Sequence, residues 1–215
     1  MSGKHVHFAP DAYPGTPSPS FSVSSLPSST GPFTPPTHYQ SLVPTLPAGS
    51  IQVHPFLRLS PVPMVDYDIS LRAETARPRD HRISAAQWQH ILTQPATEPA
   101  LPYMEIRSPS LPWCIAIYPS SKGSLVVTVA DVLYGIYASL RTGVTRDEYA
   151  LNPQLQPYVD AAYRHRCKNL ADPVAIDTES KKGVKRIDFC LENNSFVGLS
   201  STKQGGHVWQ MALSR

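Results

Sequence analysis

A chain of 215 residues with 19 Lys+Arg against 16 Asp+Glu has a formal net charge of +3, too weak by itself to point to nucleic acid or a membrane surface. Charged residues make up only 16% and prolines, at 23, are about twice their usual share, which excludes a coiled coil and a highly charged disordered chain. Three scattered cysteines (Cys114, Cys167 and Cys190) exclude a disulfide framework, and the absence of a run of about 18 apolar residues excludes an expected transmembrane helix.

The composition changes near residue 50. Residues 1–50 hold 10 Pro, 10 Ser, 5 Thr and 4 Gly, and their only charges are Lys4 and Asp11. Such a segment buries too little apolar surface to offset an ordering cost of roughly 1–2 kcal/mol per residue. It is expected to be a disordered Pro/Ser/Thr-rich arm, with polyproline character at Pro35 and Pro36. Residues 51–215 then form a single α+β domain. Residues 64–71 alternate, with Val65, Tyr67, Ile69 and Leu71 on one face, as a strand would. Residues 72–82 are polar and basic, a loop, and 84–92 form a short helix or strand. Two strands follow over 101–108 and 112–119, joined at Ser108-Pro109-Ser110, and Gly123 is free to take positive φ in the next turn.

The clearest helix starts at Thr128, which forms a capping signal with Asp131. Val129, Val132, Leu133, Ile136, Tyr137 and Leu140 make one broad apolar stripe, and Gly143 is the expected C-terminal cap. Thr145 and Glu148 cap a second, short helix, and Leu155, Tyr158, Val159, Ala162 and Tyr163 mark a third, running to about Lys168. Residues 169–184 read as a polar loop containing Asp172-Pro173. Strands are expected over 186–192, 195–200 and 207–213, with turns at Asn193-Asn194 and Gly205-Gly206. The sum is a small, mostly antiparallel sheet with about three helices packed on one face.

The motifs HPFLRL (54–59), YDIS (67–70), PWCIAI (112–117), VTVADVLYGIYASLR (127–141), TRDEY (145–149) and IDFCL (187–191) occur in an order that resembles a fungal, mainly basidiomycete, domain family of unknown function. The resemblance covers most of residues 51–215 and extends to a Pro/Ser/Thr-rich arm. It implies an α+β domain and supplies no activity, ligand or catalytic residue. Its most distinctive members are Trp113, Asp131, Gly198 and Trp209. Each has a structural reading: Asp131 caps a helix, Gly198 allows a tight backbone approach, and the tryptophans pack.

No nucleophile elbow, phosphate-binding loop, dinucleotide fingerprint or metalloprotease motif is present, so no catalytic residue and no cofactor is expected. The eight histidines lack the paired short spacing of a zinc site, so no metal is expected either. Asp66 and Asp68 share one strand face, which reads as solvated. His165 and Cys167 point about 200° apart on a helix and do not face each other. An enzyme would need a site assembled from residues distant in sequence. Two basic stretches, Arg164, Arg166 and Lys168, then Lys181, Lys182, Lys185 and Arg186, make a phosphate-binding patch if the fold unites them, although Asp172, Asp177 and Glu179 dilute it.

The arm carries the sharpest motif. Lys4, Val6 and Phe8 match the basic-x-Val-x-Phe pattern that docks on the catalytic subunit of protein phosphatase one: in an extended segment Val6 and Phe8 point the same way and fill neighbouring apolar pockets. Thr16, Ser18 and Thr34 each precede a proline, the form preferred by proline-directed kinases. The expectation is a non-catalytic protein-interaction module with a phosphorylatable arm. The alternatives are an enzyme or a weak nucleic-acid or phosphate binder. With no signal-peptide pattern in MSGKHVHFAPDAYPG, the cytosol or nucleus is expected, with protein partners and no membrane.

Overall fold

The computed structural model describes residues 50–121 and 123–215. Lys4, Val6 and Phe8, and the phosphorylation candidates Thr16, Ser18 and Thr34, lie outside the described residues.

The chain runs through β1 (Gln52–Val53), β2 (Val65–Asp66), a 3-10 turn (Ala73–Thr75), β3 (Arg77–Pro78), α1 (Ala85–Leu92), β4 (Thr97–Glu98), β5 (Met104–Arg107) and β6 (Ile115–Ile117). It continues through α2 (Val129–Leu140), α3 (Arg146–Ala150), α4 (Gln156–Lys168), α5 (Pro173–Lys181), a 3-10 helix (Arg186–Cys190), β7 (Ser195–Ser201) and β8 (Val208–Ser214). The main sheet has four strands in the order β6-β5-β8-β7. Its two outer pairs are antiparallel, and β5 and β8 join in parallel at its centre. Two small antiparallel pairs, β1 with β4 and β2 with β3, complete the strands. The fold is α+β.

The core lies between the sheet and α2. Ile106, Ile115, Ile117, Trp209 and Met211 from the sheet are buried, as are Val129, Val132, Leu133, Ile136 and Leu140 from α2. Each such aliphatic side chain contributes about 1.5–3 kcal/mol through its burial. The helix starts where its sequence says. Thr128 accepts from Asp131 N, and Asp131 accepts from Thr128 N at 2.8 Å, a complete capping box. Gly135 sets the depth of packing, since a Cβ there would run into Ile117 Cδ1 on β6. At the opposite edge of the sheet, β7 is covered by the early segment. Leu199 N donates to Leu57 O at 2.7 Å, and Leu59 N donates to Leu199 O at 2.8 Å. This approach needs Gly198: its φ is +146°, and a Cβ there would lie 2.6 Å from Leu59 Cα.

Several predicted elements change. The strand expected over 64–71 shortens to β2. Val65, Tyr67 and Ile69 keep their common buried face by bonding along β7 (Phe196 N to Tyr67 O, 2.9 Å; Ile69 N to Asn194 O, 2.8 Å), whereas Leu71 is left 51% exposed. The loop expected over 169–184 contains α5, because Asp172 accepts from Val174 N at 3.0 Å as N-cap and Pro173 occupies the first turn. The strand expected over 186–192 is a 3-10 helix. Ile187, Asp188, Phe189 and Cys190 are all buried, so the Ile-x-Phe alternation reflects burial on every side rather than one sheet face. Gly143 does not cap α2; Arg141 occupies that position, and Gly143 bridges to Lys185 instead.

Candidate functional site

An active site needs a concavity with converging polar groups. Two concavities among the described residues bear on this. The first, about 310 Å³, is lined by His54, Arg58, Gln94 and Glu98 among others. His54 is fixed there: its Nδ1 accepts from Phe56 N at 3.3 Å, so Nε2 donates to Gln94 Oε1 at 2.8 Å, and neither nitrogen is left for a substrate. The second, about 790 Å³, runs between β3 and α1. Two groups whose titration is strongly displaced lie elsewhere. Burial, with Asp188 nearby, pushes the Cys190 thiol up to about 12. Burial and the hydrogen bond to Asp160 push Tyr149 up to about 12. Both groups belong to the packing, not to a cleft.

The fold does bring the two basic stretches together, but together with carboxylates. Arg166 grips Asp188 with two parallel bonds (Nε–Oδ1 2.7 Å, Nη2–Oδ2 2.9 Å) and reaches Glu179 with Nη1 at 2.5 Å. Glu179 also pairs with Lys182 at 3.2 Å and with Lys185. Lys181 pairs with Asp177 at 2.6 Å. Arg186 pairs with Glu148 at 3.5 Å and covers the Trp113 ring, 4.8 Å from its centroid. Trp113 donates to the same Glu148 oxygen at 2.6 Å and meets Phe189 edge-on at 4.9 Å. Five of the seven predicted cations are therefore paired with carboxylates, and Arg166, Lys185 and Arg186 use those pairs to join separate elements. Arg164 and Lys168 are exposed. Asp188 and Glu148 complete this network, and no local pattern in the sequence ties either of them to the basic stretches.

The sheet offers a different feature. Glu105 N donates to His207 O at 2.9 Å, so Glu105 turns its backbone groups towards β8, and Met104 and Ile106 turn theirs towards β6. Their partners Ile117 and Ile115 are the bonded residues of β6. The C=O of Cys114, both backbone groups of Ala116 and the N–H of Tyr118 therefore point outward, and no strand among the described residues pairs with that side. The same three residues expose their side chains, Tyr118 by 65%. The rings of Tyr118 and Tyr103 lie 5.0 Å apart, and Tyr103 lies 5.9 Å from His207, a short aromatic row beside the ends of β6, β5 and β8. Pro112 and Pro119 bracket the edge and limit it to a few residues.

The model of a family of unknown function, DUF6699, matches residues 65–206, about two thirds of the chain. The chain belongs to the DUF6699 family. None of the curated proteins and none of the solved structures matches it. The DUF6699 match runs from β2 to the turn before β8, and so includes the β6 edge, α2 and the ion-pair network. It also includes Trp113, Asp131 and Gly198, whose roles in this structure are stacking, capping and close backbone approach.

Proposed function

We propose that this DUF6699 chain is a non-catalytic protein-interaction module that binds an extended segment of a partner along β6. The observation that carries this reading is the outward row of backbone groups at Cys114, Ala116 and Tyr118, flanked by exposed tyrosine. A strand added there gains main-chain hydrogen bonds, and side-chain pockets supply selectivity. The arm supplies a second contact, through Lys4, Val6 and Phe8, to the catalytic subunit of a protein phosphatase, and Thr16, Ser18 and Thr34 are its phosphorylation sites. The same reading puts the chain among fungal members of the family and in the cytosol or nucleus.

The test is capture of partners by the full chain, by Ala116→Pro and by the Val6→Ala/Phe8→Ala double variant. Proline at 116 removes the outward N–H, a group that no bond to β5 uses. Partners lost with Ala116→Pro alone support edge docking, and phosphatase lost with the double variant alone supports arm docking. An identical partner set from all three proteins would overturn both.

A further inference from the structure

The concavity between β3 and α1 is independent of the β6 edge, and its charges are arranged by sign. At one end, Asp66 on β2 sits opposite Arg77 in the β2–β3 register, and Arg77 Nη1 donates to Glu74 O at 2.5 Å and to Ala76 O at 3.0 Å. The carboxylates of Asp66 and Glu74 have no ion-pair partner among the described residues, so that end carries two negative charges against one guanidinium. Two residues on from Arg77 and just past β3, about 7 Å away by strand geometry, stands Arg79, likewise without a carboxylate partner among the described residues. His81 lies beyond it. Asp80 does not cancel this end, because Arg82 binds it at 3.1 Å and holds its carboxyl below the usual range. The floor between the two ends is apolar: Pro78 and Ile83 are half-buried and Trp88 is buried.

The backbone sets the kind of occupant. Arg79 N donates to Met64 O at 2.9 Å, so Arg79 and Arg77 face β2 and Pro78 faces away from it. Pro78 offers a carbonyl and no N–H, so a long strand cannot extend β3. One acceptor, with the Gln89 amide across the groove, is enough to hold a short segment whose side chains supply the rest.

We propose that this groove binds a short extended peptide carrying one basic and one acidic side chain two residues apart, the base at Asp66 and Glu74 and the acid at Arg79. The volume, about 790 Å³, lies within the range of ligand sites, roughly 300–1,000 Å³. Exposed ion pairs contribute up to about fivefold each in affinity, so affinity is modest and selectivity comes from the order of signs.

The test uses the full chain, nitrogen-labelled, and four end-capped pentapeptides at millimolar concentration. Two carry mixed charge (Ser-Lys-Ala-Glu-Ser and Ser-Glu-Ala-Lys-Ser), and two carry like charge, with Lys or Glu at both positions. One mixed peptide should move the backbone amide signals of Arg77, Arg79, Asp80 and His81 and the Trp88 indole signal, and bind at least about fivefold more tightly than either like-charged peptide. Arg79→Glu, an exposed change whose unshifted remaining spectrum reports an intact fold, should weaken that binding about tenfold, and Ala116→Pro should leave it unchanged. Equal binding of all four peptides, no movement of those signals, or no effect of Arg79→Glu would overturn the groove. Loss of binding in Ala116→Pro would overturn its independence from the sheet edge.

Discussion

Asp131 is a buried carboxylate that accepts four hydrogen bonds, from Ser120 N at 3.0 Å, Ser120 Oγ at 2.5 Å, and Thr128 N and Oγ1 at 2.8 Å each. Burial alone would raise its pKa, but the bonds from Ser120 and Thr128 outweigh burial and hold it below the usual carboxylate range. One side chain thus starts α2 and ties the segment after β6 to it. Asp131→Ala should destabilise the chain by about 2–3 kcal/mol in urea denaturation, because two backbone N–H groups lose their acceptor at once. Asp131→Asn should cost less, as one oxygen survives. Gly198 is constrained for a different reason. Its φ is +146°, and a methyl added there would meet the Leu59 backbone at 2.6 Å, which no side-chain movement can relieve. Gly198→Ala should lose at least about 1–3 kcal/mol by the same measurement, and equal stability would show that the Leu57–Leu59 segment can leave β7 without cost.

At the scale of elements, α5 is held by charge more than by apolar packing. It buries no residue fully, and Val174 is 71% exposed. Its anchor is Glu179. Burial would raise that carboxyl, but hydrogen bonds from Lys185 and Lys182, and the charges of Lys185 and Arg166, pull it down to about 2 from an ordinary 4.5. The folded-state pKa is therefore depressed, and the stabilisation it gives is fully present above about 4.5 and is lost as the pH falls towards about 2. Glu179→Gln should destabilise the chain at pH 7 by about 2–3 kcal/mol and flatten the decline of the urea midpoint over that acid window. An unchanged acid limb would assign the decline to other carboxylates. The same physics explains what was legible. The α2 stripe and the boxes at Thr128 and Thr145 are local patterns with a 3.6-residue period or a three-residue offset, and both appear as expected. The α5 helix has no apolar stripe to announce it, since Arg166 meets Glu179 and Asp188 across 13 and 22 residues. Period-2 spacing at Ile187 and Phe189 fits a strand face as well as a buried turn, so it does not discriminate between them.

At the scale of the whole molecule, the candidate site depends on strand order, which no local pattern encodes. The alternation in PWCIAIYP marks a strand, but its place at an edge follows from the parallel pairing of β5 with β8, whose partners Glu105 and Val208 lie far apart in the chain. The two ends of the sheet have opposite fates. Residues 57–59 close β7, while β6 keeps its outward groups and is blunted only by its shortness and by Pro112 and Pro119. This asymmetry gives an amide pattern that tests the site without any partner. Hydrogen exchange of the full chain should be slow at Ile115 and Ile117, which bond to β5, and fast at Ala116 and Tyr118, whose N–H groups face outward. Across the sheet, Phe196 and Leu199 should both be slow, since their N–H groups are bonded to Tyr67 O and Leu57 O. A true ligand of the edge must slow Ala116 and Tyr118 while leaving Ile115 and Ile117 as they were, because only the outward N–H groups gain acceptors. Uniform protection along β6 in the free chain would mean that the edge is already occupied, and strand addition by a partner would then require displacement of that occupant first.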